Sequence, residues 1–479
     1  MFEANELKSK NWLFLFSSAI VFIESLAFRG VNLAHSSYWI DEMSSVHFAS
    51  RPEWSALLWD NSPPLYHLLL KIWMNLFGRY ETATRSLSVI FSVATTIGWV
   101  RFAGKRYNWV GVAVFGVLHA FYSLSILHAR EARMYSLLEM SLTYLLFEFL
   151  NVYEGRELSK VRTIVFSLLS LFSHVLAIIP IAAAIAFLIY TKKLNFSKKQ
   201  ISAVGFALLT AATLIALYVR WDYLGWQEFK FAYEPASRWP FTMTLEIFEG
   251  PFGLAAVLAL ICTNVFYIDK SIKRIDFYFW KFLALSLVVS TLLGFLFSRS
   301  LFLSRYFTFF TPLLVFAIAE SYFKVYLSGR RNLQIAATAA LVLFISAEVF
   351  YALNSQATHR ENWRDAADLI IQKSTHPKVF TPLPLSMQSP YFEDAEIPFE
   401  KIYYYTPNMM APLTNAFQQG FDVWLINSAS SYVAIVGDLQ NYMRTNGCTF
   451  AQHSYQSEGE LPVKLFQLTC SKLSPAKAE

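Results

Sequence analysis

Asp41 and Glu42 stand side by side directly after the aromatic pair Tyr38-Trp39, and His128, Arg130, Glu131 and Arg133 crowd into one short stretch farther on. His174, Arg299 and Arg305 each interrupt apolar sequence. Two acids beside several arginines suit one chemistry. A carboxylate can take the proton of a hydroxyl as its oxygen attacks an electrophilic carbon. Arginines can hold a departing phosphate through charge-assisted, often bidentate, hydrogen bonds. Transfer of a sugar from a phosphate carrier to a hydroxyl needs both. Each residue also has a plainer reading. Asp41 suits the N-cap of a helix beginning at Glu42. Arg130, Glu131 and Arg133 suit an ion-paired helix corner, and His174 a hydrogen-bonded hairpin. Arg85 can snorkel or pair with Glu81 at i, i+4, and Tyr306 suits an interfacial anchor.

The elements that must position these residues follow from composition. Of 479 residues 55% are hydrophobic, 17% aromatic and only 15% charged, against about 25% charged in soluble domains. Mean hydropathy is +0.37. A disordered, fibrous or disulfide-scaffold protein is excluded, and so is an ordinary cytosolic enzyme. The net charge of +6 fits basic cytoplasmic connectors of a multi-pass membrane protein, so no nucleic-acid partner is implied.

A membrane-crossing helix needs about 20 apolar residues. Runs of this kind lie near 12–30, 80–100, 108–128, 133–152, 162–173, 175–191, 201–219, 247–267, 277–297, 306–324 and 332–353. These eleven candidates alternate with basic connectors: Arg101, Lys105 and Arg106; Arg156, Lys160 and Arg162; Lys192, Lys193, Lys198 and Lys199; Lys270, Lys273 and Arg274; Lys324, Arg330 and Arg331. That alternation places the amino terminus in the cytoplasm and everything after residue 353 outside. The run from Trp12 has no small-residue cleavage site behind it and reads as a spanning helix rather than a signal peptide. The first external loop, 31–79, is long for a connector. Its stretches 42–50 and 65–77 read as helices lying in the interface, the second opening after Pro63-Pro64. On this topology the acids, the arginines and His174 share one outer membrane face.

The tail, 354–479, differs in kind. A helix signal at Trp363–Ala367 precedes a strand at 378–381, a second strand at 421–426, a helix at 433–444 and a last strand at 463–468. This alternation predicts a small soluble α/β domain behind a transmembrane domain of 1–353. Cys448 and Cys470 flank its last part and could pair outside the cell. It contains no catalytic motif, and the chain contains no internal repeat.

The stretch Ser37-Tyr38-Trp39-Ile40-Asp41-Glu42 resembles the first-loop acidic motif of GT-C glycosyltransferases, in particular the bacterial branch related to protein O-mannosyltransferases and lipid A aminoarabinose transferases. Further similar stretches are Pro63-Pro64-Leu65-Tyr66 with Leu76-Phe77-Gly78, Glu81 and Arg85, and Ala129-Arg130-Glu131-Ala132-Arg133-Met134-Tyr135. Weaker ones are Ser173-His174, Arg305-Tyr306 with Pro312, and Asn362–Ala367. The resemblance implies an all-α polytopic GT-C-like fold carrying the external α/β domain, in a bacterial cytoplasmic membrane. It implies an inverting transferase that moves a sugar from a polyprenyl-phosphate donor to a lipid, glycan or protein hydroxyl. The motif's catalytic aspartate falls on Asp41, with Glu42 supporting it or orienting the acceptor. Arg133 and Arg305 would bind the donor phosphate, with Arg130, Tyr135 and Tyr306 nearby. Glu131, Arg85 and His174 would support them. Asn61 and Ser62 stand where relatives often carry an acid and a histidine or lysine, so a divalent metal stays unassigned.

Two other readings compete. A transporter or lipid flippase expects ionisable residues in mid-membrane, for which Glu139, Glu148 and Glu320 are candidates, and often repeat symmetry. A non-catalytic envelope assembly protein expects both first-loop acids to be dispensable.

Overall fold

The computed structural model describes residues 11–58, 62–107, 109–190, 253–259, 308–354, 362–381, 390–401, 411–428, 436–455, 463–471 and 473. Its first helix, α1 (Asn11–Gly30), lies against α4 (Glu81–Arg106) and α5 (Trp109–Phe121). Small residues allow this approach. A methyl group on Gly116 would lie 2.8 Å from Val21 Cγ1, and one on Gly104 would lie 2.6 Å from Phe14 Cε2. Between membrane helices, where lipid is as apolar as the side chains, such close contact replaces the hydrophobic drive. Behind α5 come α6 (Ser123–Ala129), α7 (Tyr135–Tyr153), α8 (Lys160–Ser173), α9 (Ile178–Tyr190), α10 (Thr311–Leu327) and α11 (Arg331–Asn354). Their shared core is aromatic, with Trp99 stacked on Phe115 at 5.5 Å and Phe102 on Phe147 at 4.5 Å.

Three described helices are long and apolar enough to cross a membrane: Glu81–Arg106, Thr308–Leu327 and Arg331–Leu353. A fourth crossing is available if α5 and α6 are taken as one span, but that span is bent by 57°. The continuous run read over 108–128 is therefore broken at Tyr122. Of the eleven expected spans, 201–219, 277–297 and most of 247–267 fall outside the described residues, whereas the described helices over 12–30, 133–152, 162–173 and 175–191 are not among those long and apolar enough to cross.

The segment 31–79 forms helices at both stretches read from sequence, with α2 (Ile40–Ser50), a 3-10 turn (Trp54–Leu58) and α3 (Leu65–Phe77). The cap is corrected. α2 starts at Ile40, Trp39 holds the N-cap position and its amide donates to Glu42 Oε2 at 3.3 Å. Glu42 thus supplies the acidic half of a capping box, and Asp41 sits inside the first turn rather than at the cap.

The carboxyl-terminal part is α/β: α12 (Trp363–Lys373), β1 (Pro377–Thr381), α13 (Pro390–Asp394), β2 (Phe399–Lys401), α14 (Ala411–Gln418), β3 (Asp422–Ser428), α15 (Val436–Asn446), β4 (Cys448–Tyr455) and β5 (Val463–Cys470). The sheet order is β2-β1-β3-β5-β4. β1 is parallel to β2 and β3, whereas β5 is antiparallel to β3 and β4. The two-residue period of a strand divides the sheet between two cores. Phe380, Val423, Leu425 and Leu468 face α14 and α15. Val379, Trp424, Ile426 and Leu465 share a core with Tyr38, Met43, Tyr66 and Leu70 of segment 31–79 and with Trp363. Cys448 and Cys470 are paired across β4 and β5 and joined by a disulfide, which an oxidising compartment preserves.

Candidate active site

The centre of the site is a buried ion pair. Glu42 and Arg85 are both 0% exposed. Arg85 Nε donates to Glu42 Oε1 at 2.8 Å, and Nη2 donates to Oε2 at 2.7 Å. The same guanidinium donates to the carbonyls of Ser36 at 2.8 Å and Ser37 at 2.9 Å, and to that of Leu33. Glu42 Oε1 also accepts from the amide of Ala132 at 2.8 Å. One carboxylate thereby ties together the start of α2, the start of α4 and the segment between α6 and α7. The expected Arg85–Glu81 pair is corrected. Glu81 is taken instead by Arg364 and by Tyr391, whose hydroxyl donates to it at 2.5 Å. Tyr391 Oη in turn accepts from the amide of Tyr38 at 2.8 Å, and the amide of Trp363 donates to Ser37 Oγ at 3.1 Å. The carboxyl-terminal part thus braces the backbone just before Asp41.

Asp41 occupies the first turn of α2 and is partly exposed. The positive end of a helix favours a carboxylate there. Arg133 reaches the same turn, its Nη1 donating to Ser45 Oγ at 2.8 Å and to the backbone oxygen of Asp41 at 3.2 Å. The Arg133 guanidinium and the backbone of Asp41 therefore meet although 92 positions apart in sequence. Ser45 was not singled out from sequence; its i, i+4 spacing from Asp41 was the available signal, and its hydroxyl donates to Asp41 O at 3.1 Å.

The other expected residues surround this pair unequally. Glu131 Oε2 meets His128 Nδ1 at 3.2 Å, so its carboxylate orients a histidine. Arg130 donates to the carbonyls of Phe28 at 3.3 Å and Asn32 at 3.4 Å, tying the segment to the end of α1. The buried ring of Tyr135 lies 4.4 Å from His128 and 6.2 Å from His174. Burial, and then the charge of Arg133, push the His174 imidazole down to about 4. Its Nδ1 accepts from the amide of Leu176 at 3.2 Å, so the neutral ring carries its proton on Nε2. Arg299, Arg305 and Tyr306 lie outside the described residues, as does Asn61. Among the described residues no three His, Cys, Asp or Glu side chains gather as a metal site, and no metal is assigned.

Sequence reasoning took Arg364 only as part of the stretch Asn362–Ala367 and missed Tyr391, His47 and Glu393. His47 Nδ1 meets Glu393 Oε1 at 3.1 Å, a second tie between α2 and α13. Burial alone would raise the Glu393 carboxyl, but the hydrogen bond and charge of His47, with Arg51 and Arg79, hold it below its ordinary value. Nothing in the local sequence marks these partners, because each lies hundreds of positions from the other.

A helical body with a small carboxyl-terminal sheet packed beside the α2–α3 segment is an architecture already seen in a solved membrane-protein fold. The particular fold is that of ArnT. Over 98% of this chain and 100% of the other, the structure superposes on apo ArnT from Cupriavidus metallidurans with a TM-score of 0.52 at 13% identity. For the same protein bound to undecaprenyl phosphate the TM-score is 0.55 at 14% identity over the same shares. No family model matches the sequence, and no curated protein matches it.

Proposed function

We propose that this chain is an inverting membrane glycosyltransferase using a polyprenyl-phosphate sugar as donor and a hydroxyl as acceptor. The observation that carries the reading is the convergence of Asp41 and Arg133 on one helical turn, within a fold whose relative is seen with undecaprenyl phosphate. Asp41 takes the proton from the acceptor hydroxyl. The acceptor oxygen forms its bond to the anomeric carbon as the bond from that carbon to the phosphate oxygen breaks, with inversion. The electron pair leaves with the polyprenyl phosphate, whose charge Arg133 holds. Arg305 and Tyr306 are proposed to extend that phosphate site, with Arg130 and Tyr135 beside it. Glu42 is a positioning residue: with both oxygens bonded and no exposure, it fixes the turn that presents Asp41. His174, with its Nδ1 held by the amide of Leu176, is proposed as a supporting residue beside Arg133.

The proposed place of transfer is the outer face of a bacterial cytoplasmic membrane, with the amino terminus inside and residues 354–479 outside. The disulfide between Cys448 and Cys470 supports that placement. The acids that favour a transporter are engaged elsewhere. Glu148 Oε1 accepts from Arg162 at 2.7 Å, and Glu320 accepts from Tyr107.

The test is gene deletion with mass spectrometry of polyprenyl-phosphate sugars and envelope glycans. A lipid-linked sugar is expected to accumulate while one glycan loses the same sugar, both restored by wild type and not by Asp41→Asn. Full complementation by Asp41→Asn would remove the base, and loss of no glycan sugar would remove the transferase.

A further inference from the structure

The helix that delivers the arginine-bearing segment is broken, and two ionisable residues from other helices seal the break. α5 ends at Phe121 and α6 begins at Ser123, with 57° between them. A break leaves the last carbonyls of one helix and the first amides of the next without intrahelical partners. In hydrocarbon no water can take them.

Arg29, in the last turn of α1, takes the carbonyls. Its Nη1 donates to Ala120 O and its Nη2 to His119 O, both at 2.8 Å, while Nε donates to Ser92 Oγ of α4 at 2.7 Å. Glu348, on α11, takes an amide: its Oε2 accepts from Ser123 N at 2.9 Å. Arg29 is 0% exposed and Glu348 1%. Arg29 places a cation at the carboxyl end of α5, as a helix favours there, and Glu348 supplies the acceptor for the first amide of α6. Charges at this depth are expensive, and apolar filler would satisfy neither the carbonyls nor the amide. Arg29 has a counter-charge: His119, whose carbonyl it holds, meets Glu139 Oε1 at 3.1 Å, and Glu139 acts on Arg29 directly.

Beyond the break α6 runs straight into the site. Arg130 N bonds Leu127 O at 3.1 Å, and two residues later Ala132 N bonds Glu42. The angle at Tyr122 therefore decides where Arg133 meets α2.

We propose that Arg29 and Glu348 form a hydrogen-bonding clamp that fixes the angle between α5 and α6, making both positioning residues for Arg133. Its consequence for donor binding rests on the glycosyltransferase reading; the clamp itself does not.

The test uses the full chain in lipid nanodiscs, comparing wild type with Arg29→Met, Arg29→Lys, Glu348→Leu and Glu348→Gln. Hydrogen–deuterium exchange is read over 119–134 and, as internal control, over β1 and β3. Undecaprenyl phosphate is the binding probe. Arg29→Met and Glu348→Leu are expected to speed exchange over 119–134 by about tenfold or more, since local opening free energy sets that rate, with the strands unchanged. Binding of undecaprenyl phosphate weakens in parallel. Glu348→Gln, which keeps an acceptor oxygen, restores both, and Arg29→Lys, which reaches one carbonyl but not two, lies between. Unchanged exchange over 119–134, or Glu348→Gln as damaging as Glu348→Leu, would overturn the clamp. If the Met and Leu variants do not fold, the Lys and Gln variants decide it by the same ranking. Exchange that responds in a protein that never binds undecaprenyl phosphate would uphold the clamp and reject the transferase reading.

Discussion

Replacing Glu42 by Gln tests the frame of the site most directly. The side chain keeps its shape, so the effect isolates the hydrogen bonds and the charge. Glu42 Oε1 accepts from Arg85 Nε and Ala132 N, and Oε2 accepts from Arg85 Nη2 and Trp39 N. All four partners are donors. Whichever way a Gln amide is turned, its NH2 faces two of them, and two bonds are lost. A bond involving a charged group contributes about 1.5–3 kcal/mol, giving a loss of about 3–6 kcal/mol. The cost of leaving one member of a buried ion pair alone, about 3–5 kcal/mol, agrees. Set against a typical stability of about 5–15 kcal/mol, this is a large fraction. The expected result in detergent is a melting temperature lowered by several degrees, with faster amide exchange over 36–45 and 130–134. Glu42→Leu combined with Arg85→Met is expected to stay destabilised, because apolar side chains remove the charges but leave the carbonyls of Leu33, Ser36 and Ser37 and the amides of Trp39 and Ala132 without these partners. Glu42→Gln with wild-type melting and wild-type exchange in both segments would refute the assignment of this pair as the frame.

Asp41→Asn should leave melting within about 0.5 kcal/mol of wild type, as partly exposed substitutions usually do, while transfer is lost; retained transfer in a reconstituted assay removes the base. His174 binds its proton less readily in the fold than in the unfolded chain, so stability declines as pH falls from about 6.5 to about 4, by up to about 3 kcal/mol. His174→Gln should flatten the thermal-stability profile across that window. Glu393, held below its ordinary value, contributes stability that is present above the usual carboxylate range and is lost as pH falls through its depressed value. Glu393→Gln should therefore remove an acid-side loss of protection at α13, read by exchange over 390–401. Reducing the Cys448–Cys470 bond opens a link of sequence separation 22, worth about 3 kcal/mol by chain entropy; unchanged sheet protection after reduction would contradict that value.

Several elements were legible because their signals are local. Pro63-Pro64 ahead of an apolar run marks the start of α3 at Leu65, and Asn362 before Trp363 marks the start of α12, where its side chain accepts from Asp365 N at 3.3 Å. β3 is visible as the unbroken apolar run Val423–Ile426, because its two faces are buried in different cores. β4 was missed: its polar Thr449, Gln452, His453 and Ser454 lack a strand's apolar alternation, and it is held by pairing with β5. The break at Tyr122 was missed for a related reason. Neither Gly nor Pro stands there, and the bend is held by Arg29 and Glu348 from distant helices.

The sequence by itself determined the apolar, largely helical class, the helices at Glu81–Arg106, Thr308–Leu327 and Arg331–Leu353 and the α/β character of the carboxyl-terminal part. These rest on composition and on periods of 2 and 3.6 residues, which neighbours along the chain decide. Only the tertiary structure decided who pairs with whom. Arg85 had Glu81 four residues away and took Glu42 at a separation of 43, while Glu81 went to Arg364 and Tyr391 at separations of 283 and 310. A buried charge pairs with whichever opposite charge folding leaves beside it in low dielectric, where Coulomb attraction is strongest. A neighbour on the same helix face offers only the weak, solvated alternative.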